Sequence, residues 1–406
     1  MIHDRASRAA SVAPVALAAL SLLLAVPGGA AAGVLTGNCV VGERPAATLL
    51  FPYFEVDIAN PSGTTTLFSV ANVATGVPIL ARVTLWTEWG IPTVSFNLYL
   101  KSNDLQSFNL RDLFATGAAP ATGPGAGIFP GCNDSIGGSV IPPVTLRAAH
   151  TGVKVFGACL SAGSRGPSVA TGYVTVDAAA RCPSGNGGGA ANPSDGASYF
   201  SGGSRIAVTD NILWGDWFLV TPGQAFATGN PAVHIQADPD AFGAGDYTFS
   251  GAYVGFAGTD KRRPLPSRYR ARFLQGGPFS GGTKLIAWRD TREDAPAPIT
   301  CATGFTCAAA ICKPGWFPLL QRNLTLFDQA GNSTNLGVTL SFWLATQRFD
   351  VSQLAPPYNF GYLDVDFDRQ GPVPHQAWLG AEISAEGQYS LGYGATALND
   401  LCAVSP

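Results

Sequence analysis

The sequence predicts an all-β fold: antiparallel β-sandwich layers with short helical insertions and long Gly/Pro-rich loops. Gly (49) and Pro (30) are abundant in the 406 residues while charged residues make up only 13%. That balance suits many short strands joined by tight turns and disfavours long amphipathic helices. Strand-like segments also recur at short intervals, separated by turn clusters such as Asn60-Pro61-Ser62-Gly63, Thr75-Gly76-Val77-Pro78 and Gly90-Ile91-Pro92. Several alternate cleanly, 170–177 (Ala-Thr-Gly-Tyr-Val-Thr-Val-Asp) among them.

The first element is a leader. Arg5 and Arg8 precede an apolar run, residues 12–26, that is short for a bilayer span, and Pro27-Gly28-Gly29-Ala30-Ala31-Ala32 then supplies small residues for cleavage. Residues 1–32 therefore read as a secretory signal peptide, leaving a mature chain that begins near Gly33 and has no transmembrane segment. Strands are expected at 48–57, 65–73, 79–87 and 93–100. Leu105, Phe108, Leu110 and Leu113 suggest a helical turn or two within 104–114. A loop with Cys132 as a staple follows at 116–139, then a short helix at 145–150 and the strand at 170–177.

Residues 183–204 form a flexible Gly/Ser-rich loop or linker of low complexity, between an N-terminal β region (33–182) and a C-terminal one (205–406), which fit one domain or two. Beyond it, strands are expected at 206–220, 232–237, 246–256, 268–274, 283–290, 319–327, 336–344, 361–368, 377–384 and 388–392. The nearly continuous apolar character of residues 214–220 predicts a central strand covered on both faces.

Loss of Asp4, Arg5 and Arg8 with the leader leaves 22 basic and 26 acidic residues, a net charge of −4. This is too mild and mixed to point to nucleic acid or an anionic membrane. All eight cysteines (Cys39, Cys132, Cys159, Cys182, Cys301, Cys307, Cys312 and Cys402) lie beyond the leader. An even count in an exported chain implies disulfides, with Cys159–Cys182 and Cys39–Cys402 the favoured pairings. Cys301, Cys307 and Cys312 lack the paired short spacings and histidines of a zinc site.

Chemistry-bearing motifs are sparse. His150, His234 and His375 have no metal-ligand spacing, and no Gly-x-Ser-x-Gly elbow is present. His234 reads as a strand residue with a satisfied ring. The most suggestive constellation is Arg82, Trp86 and Glu88, which a period of two places on one strand face with Val83 and Leu85 on the other. A half-exposed Trp beside a carboxylate and an arginine suits a sugar-binding surface. The alternative is that Trp86 packs under a loop and Glu88 pairs with Arg82.

The segment from Asp238 to Asp246 has an Asp-x-Asp-x-x-Gly-x-x-Asp spacing, but Phe242 and Phe249 stand where a calcium loop needs oxygen ligands, so an Asp/Gly turn is favoured and no metal is expected. The basic run from Lys261 to Arg272 suits either an anionic polysaccharide or surface lipid, or a solvated loop leading into a charge-protected edge strand. Finally, Arg268, Arg270 and Arg272 share one face of their strand, as do Asp364, Asp366 and Asp368 of theirs. Mutual repulsion along each ladder predicts that the two lie together, with at least one Arg–Asp pair.

Residues 49–57, 85–93, 109–114, 172–177 and 285–290 together resemble a group of uncharacterised exported bacterial proteins. The resemblance implies export and a shared fold, and assigns no site. The sequence thus favours a non-catalytic protein, secreted, periplasmic or on the cell surface, that needs no cofactor and has a binding or structural role, with a polysaccharide or cell-surface component as candidate partner. The competing expectation is a carbohydrate-active enzyme using paired carboxylates on a β-sandwich scaffold.

Overall fold

The computed structural model describes residues 44–117, 119, 126–132, 142–154, 159–183, 191–195, 197–254, 258–290, 299–300, 306–307, 324–335, 344–367, 375–385 and 388–398. The leader expected at 1–32, Cys39, Cys301, Cys312, Cys402, Asp368 and nearly all of the strand expected at 336–344 lie outside them. Among these residues the fold is built from antiparallel sheets with a few short helices. Among the described residues no helix is long and apolar enough to cross a membrane.

Sheet I runs in the order β5 (Leu105–Asn109), β2 (Thr65–Asn72), β7 (Leu213–Thr221), β8 (Phe226–Pro231). Sheet II runs β4 (Pro92–Leu100), β3 (Ile79–Thr87), β6 (Val169–Ala179), β1 (Thr48–Asp57), β9 (Val233–Ile235). Sheet III runs β16 (Thr346–Asp350), β11 (Gly282–Arg289), β18 (Ala377–Ala385), β19 (Tyr389–Gly394). Sheet IV runs β15 (Ser333–Asn335), β14 (Leu324–Phe327), β17 (Phe360–Asp366), β10 (Arg268–Leu274), β20 (Thr396–Ala397). A two-stranded ribbon pairs β12 (Ile299–Thr300) with β13 (Thr306–Cys307). Strands from either side of 183–204 share sheets I and II, since β2 pairs with β7 and β1 with β9.

Contacts between sheets place II between I and III, and III between II and IV, while at one edge β19 of sheet III also meets β8 of sheet I directly. Phe51 of sheet II meets Phe68 of sheet I at 4.8 Å between ring centroids. From its other face Tyr173 meets Trp288 of sheet III at 5.9 Å. Sheet III then turns Leu285, Ala287, Leu379 and Ala381 towards Tyr269, Ala271, Phe273, Leu363 and Val365 of sheet IV. The two inner sheets are covered on both faces, which is why β1, β3, β6 and β18 are buried almost end to end. Gly380 lets the two-sided packing close: a Cβ there would stand 2.3 Å from the Trp378 indole.

Most strands lie within a residue or two of their predicted bounds. The differences have local causes. Segment 104–114 begins as β5 and becomes helix α1 (Leu110–Thr116) only after Asn109, whose side chain accepts the Arg111 N–H; Gly117, at φ 76°, ends it. Helix α2 (Pro143–His150) matches its expectation, and a short α3 (Ala197–Phe200) follows 183–195. At 246–256, where a strand was expected, helix α4 (Phe249–Val254) forms instead. The buried Asp260 carboxylate accepts the Ser250 N–H at 2.8 Å, satisfying a helix-start donor from ten residues away, which local pattern does not encode.

The strand expected at 206–220 starts only at Leu213. It alternates instead of being covered on both faces, with Phe218 42% exposed, because sheet I is an outer layer. The cysteine pairing also differs. Cys182 bonds Cys132, not Cys159: the Cys182 N–H donates to Pro130 O, which brings the two together. Cys159 is disulfide-bonded as well, and no described cysteine is free.

The charge ladders meet as expected. In the β10–β17 register Arg268 stands opposite Asp366 and Arg270 opposite Asp364, with N–O distances of 3.3 and 2.5 Å. Both pairs are solvent-exposed, so Asp364→Ala should cost about 1 kcal/mol or less, shrinking further as salt rises in a denaturant titration.

Candidate functional site

The face of sheet II that looks towards sheet III is unusually polar for a buried surface. Alternation on β6 sends Thr171, Tyr173, Thr175 and Asp177 to it, and the β3 register places Arg82 opposite Asp177 and Trp86 opposite Tyr173. All of these are nearly or fully buried. Arg82, Trp86 and Glu88 therefore begin from the face the sequence predicted, but the structure does not assemble them into a surface.

Trp86 is 1% exposed, stacked on Tyr173 at 5.7 Å and donating from Nε1 to Thr175 Oγ1 at 2.8 Å. It is core, not the half-exposed platform expected. Arg82 donates to Ala191 O at 3.0 and 2.6 Å and to Asn97 Oδ1 at 3.2 Å, and burial lowers its pKa. Glu88 stands beyond the end of β3, in the turn, and accepts from Ser164 Oγ (2.5 Å), Ser164 N (3.2 Å) and Thr171 Oγ1 (3.0 Å). Burial nevertheless raises its pKa. Three residues close in sequence thus serve three separate neighbourhoods, and Glu88 takes hydroxyl and amide donors where an Arg82 pair was the alternative expected.

Two further polar centres lie on this face. At one end Glu55 accepts from Tyr53 Oη at 2.6 Å and meets Arg165 at 3.3 Å and Arg348 at 3.8 Å. Arg348 also forks onto Glu382 at 2.7 and 2.9 Å. A glycosidase needs one carboxyl group protonated and both open to substrate. Here both carboxylates are buried and held by one guanidinium, so neither is open to substrate. Chemically the centre is an ion network tying sheet II to sheet III.

At the other end Asp177 receives Thr48 Oγ1, Tyr199 Oη at 3.0 Å and Arg262 Nε at 3.4 Å. Arg262 donates further to Asp260 O and Val208 O and lies 4.9 Å from the Phe200 ring centroid. The basic run is thereby divided: Arg262 enters the core, Arg263 pairs with Asp238 at 2.9 Å, and Arg268, Arg270 and Arg272 line β10. Neither Glu55 nor Arg262 was singled out from sequence. The available signal was a lone charge inside an otherwise apolar strand (Phe54-Glu55-Val56) and Asp177 on a covered strand, both of which demand buried partners.

The histidines are structural in their contacts. His150 bridges Thr93 Oγ1 (2.8 Å) and Thr171 O (2.9 Å), and burial lowers its pKa to about 4. His234 is also lowered to about 4 by burial, and its Nε2 has no hydrogen-bond partner among the described residues, so the ring is not fully satisfied as expected. His375 Nδ1 meets Asp290 Oδ1 at 2.8 Å. Because both lowered values fall below the unfolded value near 6.5, the unfolded chain binds more protons between about pH 6.5 and 4, and these two groups withdraw stability as pH falls through that window. Burial acts on Glu88 with the opposite sign. In an NMR titration the His150 and His234 ring protons should stay unshifted down to about pH 5; midpoints near 6.5 would contradict their burial.

The Asp238 carboxylate accepts from the Asp240 and Ala241 N–H groups and pairs with Arg263, an arrangement that closes a turn and lowers its pKa, chiefly through the Arg263 bond. Among the described residues no group of three or more His, Cys, Asp or Glu is placed to hold a metal ion.

The surface with the clearest capacity to meet a ligand is the outer face of sheet IV. There β17 presents Phe360 (43% exposed) and Tyr362 (44% exposed), followed by Asp364 and Asp366. Across the ladders Tyr362 stands between Phe327 and Arg272, and Asp364 between Thr325 and Arg270. Arg270 grips Asp364 with two hydrogen bonds while its guanidinium carbon lies 5.3 Å from the Phe327 ring centroid. Underneath, Leu363 and Val365 are buried against sheet III, so exposed rings and fixed charges are carried on a backed sheet. Comparison with protein-family models, curated proteins and solved structures gave no match.

Proposed function

We propose that the mature chain is exported and works outside the cytoplasm as a non-catalytic glycan-binding protein, with the outer face of sheet IV as its contact surface. The observation that carries the reading is the pair Phe360 and Tyr362, two exposed aromatic rings in line on a strand whose opposite face is core. Rings of this kind offer an apolar face for sugar C–H groups at little conformational cost, and the phenol and neighbouring charges offer hydrogen bonds for hydroxyl groups. Export is supported by the leader pattern of residues 1–32 and by the disulfide Cys132–Cys182, a bond that persists in oxidising compartments. Binding is favoured over hydrolysis because Glu55, Glu88 and Glu382 are buried and already engaged.

The test is retention of purified mature protein on immobilised polysaccharides, read together with sugar release. Wild type should be retained by at least one polymer without releasing reducing sugar. Tyr362→Ala should bind about tenfold more weakly, the effect of losing about 1.4 kcal/mol of ring contact, with its melting temperature unchanged. Sugar release by wild type, or undiminished retention of the variant, would contradict the reading.

A further inference from the structure

The arginines on the outer face of sheet IV are not equivalent. Arg268 and Arg270 stand opposite aspartates and are paired with them. Arg272, two residues on and equally on the exposed face, stands opposite Tyr362. Among the described residues its guanidinium has no carboxylate within salt-bridge distance, and Tyr393 Oη donates to its backbone carbonyl. Asp328, which follows β14, is engaged by the backbone and side chain of Asn332. Among the described residues Arg272 therefore stands beside the exposed ring without an ion pair, while its two neighbours on the strand are paired.

We infer that the glycan recognised here is acidic: a polysaccharide of uronic acids, with a sugar ring on Tyr362 and its carboxylate on Arg272. This rests on the reading of the face as a glycan contact surface and adds the substrate class. Directly opposed residues on antiparallel strands have Cβ atoms about 4.5–5.5 Å apart, so a ring stacked on Tyr362 holds its substituents within reach of the Arg272 side chain. The guanidinium is planar, permanently charged, and matches a carboxylate with two parallel hydrogen bonds. Arg272 offers a single unpaired guanidinium beside the Arg270–Asp364 pair, which suits one carboxylate per sugar better than a densely sulfated chain.

The decisive comparison uses polygalacturonate, the same polymer fully methyl-esterified, and dextran sulfate, with intact mature protein and the variants Arg272→Gln and Tyr362→Ala. Wild type should bind polygalacturonate about tenfold more tightly than its ester, with affinity falling as salt rises and dextran sulfate weaker than polygalacturonate. Arg272→Gln should shrink the difference between acid and ester to under about twofold, and Tyr362→Ala should weaken both. Equal binding of acid and ester, an unchanged difference in Arg272→Gln, or tighter binding of dextran sulfate would overturn the acidic-glycan inference, while leaving the contact surface intact if Tyr362→Ala still weakened binding. Loss of binding to every polymer tested, neutral glucans included, would remove both.

Discussion

Asp177→Asn is expected to destabilise the protein by about 3–5 kcal/mol, because it strands the Arg262 guanidinium in the core without its counter-charge. Both side chains are 1% exposed and lie 3.4 Å apart at Arg262 Nε. The substitution leaves the guanidinium with neutral partners, Thr48 Oγ1, Asp260 O and Val208 O, and with Asp260 as the other carboxylate near enough to act on it. Arg262→Gln alone should cost a similar amount by orphaning Asp177. Since each single change leaves the opposite member of one pair uncompensated and the double change leaves neither, the double variant should lose clearly less than the sum of the two. Urea unfolding of the four proteins measures this directly. Additive losses would mean that the two groups do not act as a pair.

The second large effect concerns the Cys132–Cys182 bond, which joins cysteines 50 residues apart in sequence. Closing a loop of that length restricts the unfolded chain by an amount worth about 4 kcal/mol at 25 °C. Replacing both cysteines with serine should lower stability by about that much and raise the denaturant slope, since the unfolded state expands. A loss under about 1 kcal/mol would show that the surrounding segments hold the unfolded chain together without the bond. Asn97, whose Nδ2 lies 3.0 Å from Cys182 Sγ and whose Oδ1 receives Arg82, links this staple to the buried polar face.

How far sequence reaches is visible in particular elements. β1, β3 and β10 coincide with their expected bounds because period-two alternation and Gly/Pro turns are local signals. The Arg–Asp ladders were legible for the same reason: each strand alone shows its charges on one face, and like-charge repulsion calls for an opposite neighbour. Helix α4 was not legible, because the group that receives its early N–H is Asp260, placed there by tertiary structure. Nor was the fate of Trp86 and Arg82. Alternation tells which face they occupy, but whether that face meets water depends on distant cover: sheet III, built more than 190 residues later in the chain, over Trp86, and the Ala191 backbone over Arg82. The candidate contact surface was legible only as charge. Its aromatic half, Phe360 and Tyr362, became visible once β17 was seen to lie on an outer sheet.

The most direct test of the account is to map which tyrosine the glycan covers. Tyr362 on sheet IV and Tyr389 on sheet III are equally open to solvent, 44% and 45% exposed, so a tyrosine-nitrating reagent should modify both in the free protein. With saturating polygalacturonate, or a neutral glucan if that is the polymer retained, peptide mass spectrometry should show Tyr362 protected and Tyr389 nitrated as before. Tyr362 nitrated at the same rate with and without the bound polymer would contradict the assignment of the outer face of sheet IV as the binding surface.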